Sequence, residues 1–123
     1  MNNTTSPAQN DETQNADQDE SLAIAREILR QLGGRMFLMM TGSKQLLALK
    51  SGLQFTVGEN ENGVNRIQVI LDADDTYTVK ASQVRVNRRT GVVKEEPKGE
   101  EEGVYNDSLQ AVFTRLTGLY TRL

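Results

Sequence analysis

The sequence predicts an α+β fold: an antiparallel sheet of four to five strands flanked by an N-terminal and a C-terminal helix. Three observations carry this. Apolar residues recur at helical spacing near Leu22–Leu32 and again near Leu109–Leu116. Between them they alternate with polar residues, and clusters of Gly, Asn and Asp separate the alternating runs.

The first twenty residues, MNNTTSPAQNDETQNADQDE, hold no aromatic or branched aliphatic side chain. They bury too little apolar surface to offset their ordering entropy, so residues 1–20 are expected to form a disordered acidic tail and residues 21–123 a single domain. Ser21 is placed to cap a helix whose apolar face is Leu22, Ala25, Ile28, Leu29 and Leu32, and Gly33-Gly34 ends it. Arg35 to Met40 follows as a strand, apolar on both faces and suited to the interior of a sheet. The stretch from Thr41 to Gly52 is expected to be a loop with some strand pairing.

Leu53, Phe55 and Val57 alternate with Gln54 and Thr56, GENENG is turn chemistry, and Arg66 to Leu71 returns as a second strand to make a hairpin. Asp72 to Asp75 turns the chain again. Thr76 to Val86 resumes the alternation, with a change of phase before Val84 that implies a bulge. NRRTG (residues 87–91) is a further hairpin turn, and Val92 to Lys94 pairs back. The polar EEPKGEEEG that follows is expected to be a loop, because Pro97 and two glycines disfavour regular structure. Asn106 or Asp107 caps the last helix. Its apolar face is Leu109, Val112, Phe113 and Leu116, Gly118 stops it, and Leu119, Tyr120 and Leu123 are left to fold back on the body.

The chain carries a net charge of −3, but the charge is unevenly divided. Asp11, Glu12, Asp17, Asp19 and Glu20 give the tail −5. From Ser21 onward 14 basic residues face 12 acidic ones, so the domain is +2. The tail is expected to act mainly as a solubiliser. It has neither the basic stretch nor the apolar core of a secretory signal, and its acidity speaks against a mitochondrial presequence. No apolar run approaches the roughly 18 to 20 residues that span a bilayer. The expectation is a cytoplasmic protein without membrane association.

Cysteine and histidine are both absent, which removes disulfides, thiolate nucleophiles, Cys/His metal sites and the commonest general base. No catalytic residue, metal ligand or cofactor is predicted. Thr41-Gly42-Ser43-Lys44 has some of the chemistry of a phosphate-binding loop, but its glycine spacing and residue order are wrong. It reads as a turn. Asp72, Asp74 and Asp75 are a dense carboxylate group without the glycine and distal glutamate of a calcium loop, and they read as a turn bonding its own backbone. Met36, Met39 and Met40 read first as packing in an inner strand, with an adaptable hydrophobic surface for a protein partner as the alternative.

The most extensive functional signal is basic. Lys80, Arg85, Arg88, Arg89, Lys94 and Lys98 fall within nineteen residues, four of them in or beside the NRRTG hairpin. A projecting basic hairpin can follow a phosphate backbone and release counterions from it. Aromatic residues for base stacking are few: Phe37, Phe55 and Phe113 read as core, and the three tyrosines are scattered. The competing reading is a solvated edge hairpin whose charges prevent strand-to-strand association.

These residues also resemble a group of short, largely uncharacterised proteins carried by bacteriophages and integrated mobile elements of bacteria. The likeness covers roughly residues 25–123. It rests on Gly33-Gly34, Phe37 and Met40-Thr41-Gly42 with Lys44; Leu53-Gln54-Phe55; Asn65-Arg66-Ile67; Asp75-Thr76-Tyr77; Gly103-Val104-Tyr105 with Asp107, Leu109 and Phe113; and Thr117-Gly118-Leu119-Tyr120-Thr121. The resemblance implies a phage or mobile-element setting in a bacterial host cell and no known enzymatic activity. A non-enzymatic module that binds DNA or RNA through the Lys80–Lys98 region, assisting DNA metabolism, is the leading expectation. A protein-directed inhibitor or adaptor acting on a host complex, such as a counter-defence protein aimed at CRISPR or restriction, is the alternative.

Overall fold

The structure, a computed structural model, describes residues 5–121, with side chains from residue 18 onward. The elements are α1 (Thr5–Leu32), α2 (Gly34–Thr41), β1 (Lys44–Leu49), β2 (Gly52–Thr56), β3 (Arg66–Leu71), β4 (Tyr77–Val86), β5 (Val93–Val104), a single 3₁₀ turn (Asn106–Ser108) and α3 (Leu109–Thr117). The five strands form one antiparallel sheet in the order β1-β2-β3-β4-β5, so each strand pairs with its neighbour in the chain. This is the α+β fold the sequence predicts, with the strand count at five.

The helices cover one face of the sheet. Ala25, Ile28 and Leu32 of α1, Phe37 of α2, and Leu109 and Phe113 of α3 are buried against Leu53, Phe55, Ile67, Val69, Val79 and Ala81. Phe37 stands between two other rings, edge-on to Phe55 at 5.6 Å and to Phe113 at 4.9 Å, so one aromatic cluster joins the sheet, the second helix and the last. Burial of a ring contributes about 1.5–3 kcal/mol and an edge-on pair about 0.5–1.5 more, so this cluster is the chief tie between layers.

Three local expectations are corrected. Residues 35–40 are helical rather than a strand: Phe37 and Thr41 of α2 are buried one helical turn apart, Leu38 packs partly against the core, and Met36 and Met39 face solvent. Met36 and Met39 are therefore surface residues and do not pack in a core strand. EEPKGEEEG is the body of β5 and not a loop; Pro97 is tolerated because β5 is an edge strand, where a missing N–H interrupts little. Ser21 does not open its helix: α1 extends N-terminal to it, and the Ser21 hydroxyl donates instead to the Lys50 carbonyl at 3.1 Å. The disordered tail expected at 1–20 falls mostly on residues whose side chains lie outside the described set; residues 18–20 are helical and exposed.

The remaining sequence signals have clear local causes. Gly33 takes φ 128° and accepts the end of α1, and its N–H meets the Leu29 and Arg30 carbonyls at 3.1 Å. Gly52 lies so close under β3 that a Cβ there would sit 2.2 Å from the Val69 carbonyl oxygen, which only glycine avoids. Leu119 packs against the core as expected, Tyr120 is exposed, and Leu123 lies outside the described residues.

Candidate nucleic-acid interface

The last two strands outgrow the sheet. β3 ends its pairing at Arg66 opposite Ser82, whereas β4 continues to Val86 and β5 begins at Val93. From Gln83 to Glu96 the chain is therefore a two-stranded arm that no third strand joins. Asn65 closes its root: its side-chain amide donates to the Val84 carbonyl and its carbonyl oxygen accepts the Val84 N–H, both at 2.8 Å, taking over where β3 stops.

Strand alternation divides the arm into two faces. Residues directly opposite are Gln83 with Glu96, Val84 with Glu95, Arg85 with Lys94, and Val86 with Val93. Gln83, Arg85, Lys94 and Glu96 continue the face on which Val79 and Ala81 meet the helices, and together they line a shallow depression of about 170 Å³. Val86 and Val93 lie on the opposite side and are exposed, at 58% and 60%. At the tip Asn87 is bonded in a turn. Its Oδ1 accepts the Arg89 and Thr90 amides at 2.9 and 3.2 Å, and the Asn87 N–H donates to the Val92 carbonyl. Residues Arg88 and Arg89 are carried outward on that turn.

The six cations expected to act together are thus divided by the fold. Arg85, Arg88, Arg89 and Lys94 share the arm. Among the described residues none of the four is in an ion pair, and no carboxylate lies between positions 85 and 94. Lys98 sits at the root, its Nζ 2.7 Å from Glu96, beside Gly63. That bond, more than the nearby Arg85 and Lys94 charges, holds the Glu96 carboxyl below its usual range. Lys80 lies elsewhere, on the sheet's open face opposite Glu100. It faces a cleft of about 810 Å³ shared with Asp72, Asp74 and Glu102, where carboxylates predominate.

The arm is electrostatically unusual within its own chain. Arg85 and Lys94 are directly opposite one another, and like charges at that position destabilise a strand pair by a few tenths of a kcal/mol or more. Glu95, the nearest carboxylate in sequence on the other face, is turned away to Ser82 and Arg66, at 2.9 and 3.7 Å. The tyrosines are remote from the tip: Tyr77 is in the core, and Tyr105 and Tyr120 flank α3.

The other motifs have structural occupations. Thr41 donates to the Phe37 carbonyl at 2.7 Å and Gly42 ends α2 with left-handed geometry, so Thr-Gly-Ser-Lys is a helix terminus leading into β1. Asp74 accepts the Thr76 amide and hydroxyl at 3.1 and 2.7 Å, which lowers its pKa, and Asp72 accepts the Thr78 hydroxyl. Among the described residues no three carboxylates converge as a metal site would need. Among the described residues no helix is long and apolar enough to cross a membrane. Comparison with known protein families, curated proteins and solved structures returns no match.

Sequence reading singled out cations alone. It passed over Gln83, Asn87 and Val92, which share a face with Arg85 and Lys94 only once the β4–β5 register is known. It also missed Asn65, the residue that fixes the arm's base. The signal available for Asn65 was weak: an Asn immediately before an alternating strand, which more often marks a turn.

Proposed function

We propose that the protein is a small non-enzymatic nucleic-acid-binding module, with the arm from Gln83 to Glu96 as its contact element. The observation that carries this reading is the set of four cations, Arg85, Arg88, Arg89 and Lys94, on a projecting ribbon with no ion pair among the described residues. A polyanion supplies the counter-charge that the fold leaves out, and each neutralised phosphate releases counterions. Lys98 reinforces the root, while Lys80 belongs to an acidic cleft and adds little. The resemblance to phage and mobile-element proteins supports a role accessory to DNA metabolism in the cytoplasm of a bacterial host.

Fluorescence anisotropy with labelled nucleic acid at rising salt tests the proposal. Two to four neutralised phosphates predict a fall of log K with log salt of slope roughly −2 to −4. Replacing residues 85–94 by Asn-Gly joins Val84 to Glu95 through a two-residue hairpin. This variant should keep its circular-dichroism spectrum and lose the binding. Binding that survives removal of the arm, or no binding at low salt, overturns the reading.

A second reading rests on α2. Met36 and Met39 are exposed, the latter at 72%, and flexible thioethers suit an adaptable protein contact. Such a protein-directed inhibitor or adaptor, of the counter-defence kind, would retain one stoichiometric partner from nuclease-treated lysate and lose it in a Met36→Lys/Met39→Lys variant.

A further inference from the structure

We infer that the ligand of the arm is double-stranded DNA, read in the major groove by the face that bears Gln83, Arg85, Asn87, Val92, Lys94 and Glu96. This rests on the nucleic-acid reading above and adds to it the class of nucleic acid and the face that selects sequence. The first support is register. Gln83 with Glu96 and Arg85 with Lys94 are successive same-face cross-strand pairs, and Asn87, whose N–H donates to the Val92 carbonyl just past the strand ends, extends the ladder by a third rung.

The second support is chemistry. Arg and Lys bond the guanine O6 and N7 edge, Asn and Gln bond the adenine N6 and N7 edge, a carboxylate accepts from cytosine N4, and an aliphatic side chain meets the thymine methyl. Every member of the ladder belongs to one of those classes. Four of them are also unspent: among the described residues the side chains of Gln83, Arg85 and Lys94 make no hydrogen bond, and the Asn87 amide group stays free because the turn engages only its oxygen. The opposite face offers Val84, Val86, Val93 and Glu95, a poorer set of readers, with Glu95 already bonded.

Dimensions favour duplex DNA over the other nucleic acids. Strands about 4.8 Å apart make a ribbon that the roughly 12 Å major groove of B-form DNA admits. A rise of about 3.4 Å per residue places alternate side chains about two base pairs apart, so three rungs cover a site of about five base pairs. The corresponding groove of A-form RNA is too deep and narrow for side chains to read. A single strand would need stacking aromatics, and the arm has none. Arg88 and Arg89, on the turn rather than on the ladder, meet the phosphates beside the groove.

Selection from randomised duplex DNA by the full chain, followed by anisotropy on the enriched site, tests this. A preferred sequence of about five base pairs is expected, bound about tenfold or more tightly than duplex RNA or the single strand. Arg85→Ala should relax the preference at one base pair by about tenfold. In contrast, Arg88→Ala/Arg89→Ala should weaken all sequences alike and leave the preference intact. Salt-sensitive binding with no enriched sequence, or equal binding of duplex RNA, overturns the major-groove inference while leaving the nucleic-acid reading standing. No binding to any nucleic acid at low salt overturns both.

Discussion

Strands β4 and β5 pass through two environments along their length, and the contrast explains their composition. Below Ser82 they are covered: Val79 and Ala81 are buried, and Gly99 lies so close under α3 that a Cβ would come within 2.7 Å of the Leu116 side chain. Above Ser82 only Gln83 and Val84, at the root beside Asn65, are half-buried; from Arg85 to Lys94 every residue is exposed, and Arg, Asn, Lys and Val take over. The same hydrogen-bond ladder serves both halves. Backbone pairing, anchored at the root by Asn65 and Glu95, therefore holds the arm, while the side chains from Arg85 to Lys94 are released from packing and free to meet a ligand.

The largest effect expected is at the covered end. Phe113→Ala removes one ring from the aromatic cluster and should cost about 3–5 kcal/mol, read from the urea midpoint, without altering the arm's own cross-strand pairs. A cost below about 1 kcal/mol would mean that α3 does not hold the covered end together. Next comes the junction. Asn65→Ala leaves both polar groups of Val84 without their partner and should cost about 1–3 kcal/mol, with amide exchange at Val84 quickening while Val79 stays protected. Equal quickening at both amides would show one cooperative unit rather than two regions. The smallest effect lies in the arm itself: Val93→Ser should change stability by no more than about 0.5 kcal/mol, and a loss above 1.5 kcal/mol would show that the valine is packed after all.

Legibility in the sequence followed the same division. Strands β2 and β3 could be read because one face is buried and the other wet, which imprints a period of two on Leu53, Phe55, Ile67 and Val69. Likewise Leu109, Phe113 and the stop at Gly118 were visible in α3. In α2 the run Met36 to Met40 is apolar throughout, and a short run of that kind carries no usable period. Only the burial of Phe37 and Thr41, four residues apart, distinguishes the helix. In β5 local preference pointed away from a strand, and pairing with β4 overrode it.

For the candidate site, the cluster of charge was plain in the sequence, but its partition was not. Lys80 and Arg85 are an odd number apart on a regular strand, so they face opposite ways, and their surroundings depend on whether Glu100 or Lys94 is opposite. That information resides in a register, which is set by the bulge between Ala81 and Ser82 and by the Asn65 junction. The change of phase before Val84 signalled the bulge but not the register it sets, and Asn65 has no signature strong enough to be recognised before the strands are aligned.

The meander order of the sheet carries a consequence for how the chain comes to be folded during synthesis. Because every strand pairs with its neighbour in sequence, each ladder closes a short loop at small entropic cost and can form as soon as its two strands have emerged. The helical layer obeys a different clock. Gln110 bonds the Leu32 carbonyl across 78 residues, and Phe113 completes a cluster whose other rings, Phe37 and Phe55, were made much earlier. A growing chain therefore displays a sheet whose apolar face is covered by α1 and α2 alone until α3 is added, and that interval, with the face partly open, is when the protein is most exposed to aggregation.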